Sequence, residues 1–175
     1  SVTDTGAPHM KPAQDGRSRF IMKSKLGAGR DFHVTDTSDQ LAYIVDGKMG
    51  TRPKAEINDA SGATLYNVKG HLVGIPKQMT ISDAGGSEVG SLHAKMISPI
   101  KSKATLSMSD GTEWHVEGSL VEKNYRIDSA AGPVAEISQK WVTVRDSYAV
   151  DVVDGVDPGL VLAVVWAIDR WVERD

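Results

Sequence analysis

The sequence predicts an all-β protein with one helix: a closed antiparallel β-barrel of about twelve strands around a central hydrophobic C-terminal α-helix. Three observations carry this. From Arg19 to Val153 apolar residues alternate with polar ones at a period near two. Asp- and Gly-rich breaks separate the runs. Near the end, Leu160 to Ile168 is a nine-residue apolar run behind Asp157-Pro158.

The strands follow from the alternation. Phe20 and Met22 share a face, opposite Lys23 and Lys25. Leu41, Tyr43 and Val45 share another, and so do Met79 and Ile81. Ala104, Leu106 and Met108 alternate with Thr105, Ser107 and Ser109. Trp114 and Val116, Tyr125 and Ile127, and Tyr148, Val150 and Val152 continue the series. Successive strand side chains point to opposite faces, so each run has one face to bury.

The breaks are hairpin turns. They are Asp36-Thr37-Ser38-Asp39, Asp59-Ala60-Ser61-Gly62, Asp83-Ala84-Gly85-Gly86, Ser109-Asp110-Gly111 and Asp128-Ser129-Ala130-Ala131-Gly132. Asp and Gly tolerate the backbone conformations such turns need. A meander of this many strands must stack or close to hide its edges.

A repeat runs through the same region. Lys25, Lys48, Lys69 and Lys95 are 21 to 26 residues apart, and Lys140 follows after about two further units. Second basic residues come after each: Arg30, Arg52 with Lys54, Lys77, Lys101 with Lys103, and Arg145. Each unit reads as one hairpin.

The C-terminal run reads as a helix of about 14 residues. Asp157 is a suitable N-cap and Pro158 a suitable first-turn residue. The run is apolar on all sides, so it needs an enclosure. A barrel of more than eight strands leaves an interior to fill. Nine residues are about half of a bilayer-spanning helix, so the chain is expected not to be transmembrane.

Residues 1–17 are expected to be a disordered tail, with 1–10 resembling an expression-tag remnant at His9-Met10. The barrel domain is then 18–175.

Composition limits the chemistry. The 175 residues contain no Cys, which excludes thiol catalysis and disulfide scaffolds. The net charge of −3 demotes a general nucleic-acid binder. Gly85-Gly86-Ser87-Glu88-Val89 misses the nucleophile-elbow pattern, since Val89 stands where glycine is required. Gly27-Ala28-Gly29 lacks the third glycine of a dinucleotide fingerprint. His71, His93 and His115 are 22 apart but fall at different phases of the repeat, so they read as exposed strand histidines. No catalytic constellation or cofactor is expected, and the chain reads as a non-enzyme. Trp166 reads as core. Trp171, beside charges, is expected at the barrel mouth.

The basic residues are the functional lead. Lys48, Arg52, Lys54, Lys101, Lys103, Lys140 and Arg145 lie near expected hairpin ends. If these ends share a rim, they form a docking surface for anionic phospholipid head groups or a protein partner. The alternative is that they are solvated residues that blunt strand edges.

Several segments resemble the LURP-one-related family. They are Phe20-Ile21-Met22-Lys23-Ser24-Lys25, Tyr43-Ile44-Val45-Asp46-Gly47-Lys48, Ala94-Lys95-Met96-Ile97-Ser98-Pro99-Ile100-Lys101 and Val116-Glu117-Gly118-Ser119. The most specific runs from Ser138-Gln139-Lys140-Trp141 through Arg145-Asp146-Ser147-Tyr148 to Val152. The resemblance spans about residues 18 to 172. It implies the tubby C-terminal fold, which is related to that of phospholipid scramblases. Tubby domains bind phosphoinositides, but no matching motif transfers their binding residues here. The resemblance identifies a fold better than a function; the basic hairpin ends lead to the expectation of a non-enzymatic binding module, cytoplasmic and peripheral to the membrane. The alternatives are a scramblase-like membrane activity and a hydrolase with an unrecognised site.

Overall fold

A computed structural model describes residues 16–25, 31–48, 50–70, 77–96, 102–140 and 147–174. Its strands are β1 (Arg17–Lys25), β2 (Asp31–Thr35), β3 (Leu41–Lys48), β4 (Lys54–Asp59), β5 (Thr64–Gly70), β6 (Lys77–Asp83), β7 (Glu88–Met96), β8 (Ser102–Met108), β9 (Glu113–Ser119), β10 (Asn124–Ser129), β11 (Gly132–Ser138) and β12 (Ser147–Val153). One helix, α1 (Pro158–Arg174), follows.

Each strand pairs antiparallel with the next, and β1 pairs with β12 to close a barrel. Closure joins Arg17 to Val153 and Lys23 to Ser147. No sheet edge is left between the described strands. β1 starts one residue before the expected boundary at Ser18. Arg17 is held by its pairing with Val153 and by Glu136, 3.3 Å from its guanidinium. Gly16 O accepts the Asp154 N–H at 2.8 Å, and the rest of the expected tail, 1–15, lies outside the described residues.

The inward faces are those the alternation predicts, with one departure. Leu41 was expected to face inward with Tyr43 and Val45, but it is exposed. A bulge opposite Val34/Thr35 inserts Ala42 as an extra residue and turns Leu41 outward. Similar register shifts follow the turns at Asp59, Asp83 and Asp128. Bulges at a barrel rim bend the strands and increase their local twist.

α1 has 17 residues, longer than the expected 14, because helix continues through Asp169 and Arg170 beyond the apolar run. At 1.5 Å per residue it is about 26 Å long, close to the height of strands about seven residues long. Asp157 Oδ1 accepts the Gly159 N–H at 2.9 Å, so the expected N-cap is in place. Every residue from Leu160 to Asp169 is buried. An ideal Cβ on Gly159 would lie 3.2 Å from the Tyr66 ring, so a small residue lets α1 approach β5 closely. Trp166 is core, as expected. Trp171, near the end of α1, is also buried within the core cluster.

Candidate functional site: a basic barrel rim

An up-and-down barrel sorts its connections by parity. Odd-numbered strands end at one rim, where the next strand begins. Even-numbered strands end at the other. The lysine repeat is two strands long, so equivalent lysines fall on the same rim. Lys25 and Lys48 occupy the ends of β1 and β3, and Lys69 and Lys95 are the penultimate residues of β5 and β7. Lys54 and Lys77 open β4 and β6 on that rim, and Lys103 is the second residue of β8. Lys140 follows β11, and Lys123 closes the turn between β9 and β10.

The opposite rim is acidic. Its connections, 36–40, 60–63, 84–87, 109–112, 130–131 and 154–157, contain no Lys or Arg. Asp36, Asp59, Asp83 and Asp110 organise its turns. Asp59 Oδ1 accepts N–H groups from Ser61 and Ala63 at 2.9 and 3.0 Å, and Asp83 Oδ1 accepts those of Gly85 and Ser87 at 2.9 Å. The Ser61 hydroxyl, then the backbone donors, hold Asp59 below the usual carboxylate range. The Thr112 N–H does the same for Asp110. The left-handed position of these turns is glycine at Gly62 and Gly86, with φ of 95° and 93°, but Asp39 in the first turn, with φ of 64°. The net charge of −3 therefore conceals a separation of charge along the barrel axis.

The basic rim is not uniform. Lys48 bonds Asp46 at 2.7 Å and lies 3.7 Å from Glu56. The Asp46 hydrogen bond, assisted by both carboxylates, raises its pKa. Lys103 lies 3.8 Å from Glu117, its cross-strand partner. Glu122 is exposed in the β9–β10 turn. By contrast, Arg52, Lys54, Lys69 and Lys140 are exposed and have no ion pair among the described residues.

The corner formed by β3, β4 and β5 concentrates these charges. Lys48 pairs in register with Lys54, and Lys54 with Lys69. All three lie on the outer face, because Gly47, Ala55 and Val68 between them are buried inside. Like charges directly opposite on a sheet destabilise it by roughly 0.2–1 kcal/mol per pair. The β3–β4 connection folds onto this corner. Pro53 O accepts the Gly70 N–H at 2.7 Å. An ideal Cβ on Gly70 would lie 2.9 Å from Pro53 Cγ, so glycine permits the contact that holds the connection carrying Arg52 against the end of β5.

Of the residues expected at the site, Lys48, Arg52, Lys54, Lys103 and Lys140 share this rim. Lys101 and Arg145 lie outside the described residues. Lys69 was read only as a repeat lysine. Its cross-strand pairing with Lys54 brings it into the site, and its phase in the repeat was the available signal. Among the histidines, His93 is half-buried and His115 exposed on outer faces, while His71 lies outside the described residues. Among the described residues, no group of three or more His, Asp or Glu stands ready to hold a metal ion. No helix among them is long and apolar enough to cross a membrane.

The fold defines a class: a closed twelve-strand barrel around a C-terminal helix, the tubby-like arrangement. The chain belongs to the LURP-one-related family, whose model matches residues 18–169. It is 25% identical over 158 residues to the uncharacterized protein YxjI of Bacillus subtilis, covering 89% of this chain and 94% of that one. Its fold is similar to an X-ray structure of an Arabidopsis thaliana protein, with a TM-score of 0.67 and 15% identity. That match covers 93% of this chain and 94% of the other.

Proposed function

We propose that the protein is a non-enzymatic binding module that docks on anionic phospholipid head groups through its basic rim. The observation that supports this is the uneven placing of charge: lysines predominate at one end of the barrel, where Asp31 and Asp46 also lie, and turn aspartates at the other, where Arg17 opens β1. Lys and Arg near an anionic leaflet contribute about 1 kcal/mol each. The acidic rim is repelled by the same surface, so the field orients the barrel end-on before contact. In this reading the protein is cytoplasmic and peripheral to the membrane.

The scramblase-like alternative meets a physical obstacle. It needs α1 to leave the barrel, which would expose the Leu160–Ile168 run and empty the interior. Burial of each aliphatic side chain is worth about 1.5–3 kcal/mol.

Vesicle co-sedimentation tests the docking. The protein should pellet with phosphatidylcholine vesicles that contain phosphatidylglycerol, and not with phosphatidylcholine alone. Binding should weaken with added salt and with Lys103→Glu combined with Lys140→Glu. Salt-independent binding, or none to either vesicle, would sink the reading.

A further inference from the structure

Lys54 and Lys69 stand directly opposite each other across β4 and β5, exposed on the outer face. Side chains at such positions have Cβ atoms about 5 Å apart. Lys48, next in the row, is satisfied by Asp46 and Glu56. The Lys54–Lys69 pair has no such carboxylate among the described residues. Arg52, two residues before Lys54, is exposed in the connection that the Gly70–Pro53 contact holds against β5. Lys54 and Lys69 therefore face each other as like charges, and the neighbouring carboxylates on the same outer face, Asp46 and Glu56, are engaged by Lys48.

Resting on the basic-rim reading above, we propose that Arg52, Lys54 and Lys69 form a site for a phosphate monoester, and that the lysine pair selects its second negative charge. A phosphodiester carries one charge and offsets one lysine. A monoester near neutral pH carries close to two, because its second pKa is about 6. Its dianion offsets both lysines at once. Its three terminal oxygens accept charge-assisted hydrogen bonds, two from the ammonium groups and one from the guanidinium. The ligand then removes a repulsion that the empty sheet must carry.

Two measurements on the full chain separate this site from general attraction to the rim. Vesicles of phosphatidylcholine with phosphatidic acid present a monoester, and those with phosphatidylglycerol present a diester. At pH 7.4 the first should bind roughly fivefold tighter, the worth of one further charge contact. Lys54→Gln or Lys69→Gln should abolish that preference, and Lys103→Gln should leave it. Lys69→Gln should also raise the melting temperature of the unliganded protein, since it removes a like-charge pair. Glycerol 3-phosphate should compete for the phosphatidic acid vesicles.

Equal binding to the two vesicles, unchanged by Lys69→Gln, would overturn the monoester site and leave the basic-rim reading intact. Binding of glycerol 3-phosphate that Lys69→Gln removes, with no binding to either vesicle, would support the site and overturn the membrane reading. Binding of none of the three probes would overturn both.

Discussion

Lys123 Nζ lies 2.8 Å from Asp169 Oδ1, so a residue of the β9–β10 turn grips the last turns of the helix inside the barrel. The same ammonium sits 5.8 Å from the centre of the Tyr148 ring. Asp169 is only 4% exposed. A carboxylate buried that deeply is costly unless it is paired. Its charge also contributes, after burial itself, to raising the pKa of the enclosed Tyr125. At the other end, Asp157 caps the first turn. The two ends of α1 thus meet charges that complement its dipole: a carboxylate at the start and an ammonium at the finish.

Removing that ammonium should therefore destabilise the fold. Lys123→Met is expected to cost about 3 kcal/mol in urea unfolding. Lys123→Met combined with Asp169→Leu should recover most of the loss, because the buried charge leaves with its partner. A single variant within about 0.5 kcal/mol of the parent would show that the pair does not hold the helix.

Val164 is fully buried near the middle of α1. Val164→Asp places a carboxylate where the barrel wall supplies apolar contacts. The expected cost is about 4 kcal/mol or more, enough to unfold a marginally stable domain. Circular dichroism should report loss of the cooperative melt. A near-parental melting temperature would mean that α1 is not central.

Tyr66 donates a hydrogen bond to Asp157 Oδ2, which ties β5 to the helix cap. Burial, then this bond, raises the Tyr66 pKa above its usual 10.0. A raised pKa means that the folded state holds the proton more tightly than the unfolded state. The resulting stability is complete below pH 10.0 and is lost as pH rises through the folded value. Tyr66→Phe should cost about 1 kcal/mol at neutral pH. It should also show a shallower alkaline decline than the parent. Identical alkaline limbs for the two proteins would remove the claim.

The acidic turns give the opposite sign. Asp59 and Asp110 titrate below their usual 3.8, so the folded state binds their protons less tightly. Their contribution is present above that value and is lost as pH falls through the depressed folded values. Asp59→Asn and Asp110→Asn keep an oxygen that accepts the turn N–H groups, but remove the titration. Acid unfolding of the double variant should be less steep below about pH 4. An unchanged acid limb would show that these turns do not set it.

Much of the barrel was legible because its strands bury one face each. That rule makes Trp114 and Val116, or Tyr125 and Ile127, visible as a period of two. Leu41 broke the pattern because a bulge changes the parity of a strand without changing its composition. The end of α1 was less visible because Asp169 is charged yet buried, and only its tertiary partner Lys123 explains that.

The candidate site was legible in part. The lysine repeat is a sequence feature, and its length of two strands is what places it on one rim. The sequence did not reveal which lysines are already satisfied. Lys48 is engaged by Asp46 and Glu56, whereas Lys54 and Lys69 face each other. Those relationships depend on register, and register arises from pairing between distant segments.

The element that fills the barrel, Pro158–Arg174, comes after all twelve strands in the chain. On a ribosome the wall is therefore made before its contents. Early hairpins such as β3–β4 can form while the chain is nascent, but β1 must wait for β12 and the interior for α1. Long-range pairing of this kind folds slowly. Until then the inward faces have nothing to cover them, which makes the incomplete barrel a client for chaperones. A chain stopped before Leu160 should accumulate as aggregate rather than as a hollow barrel.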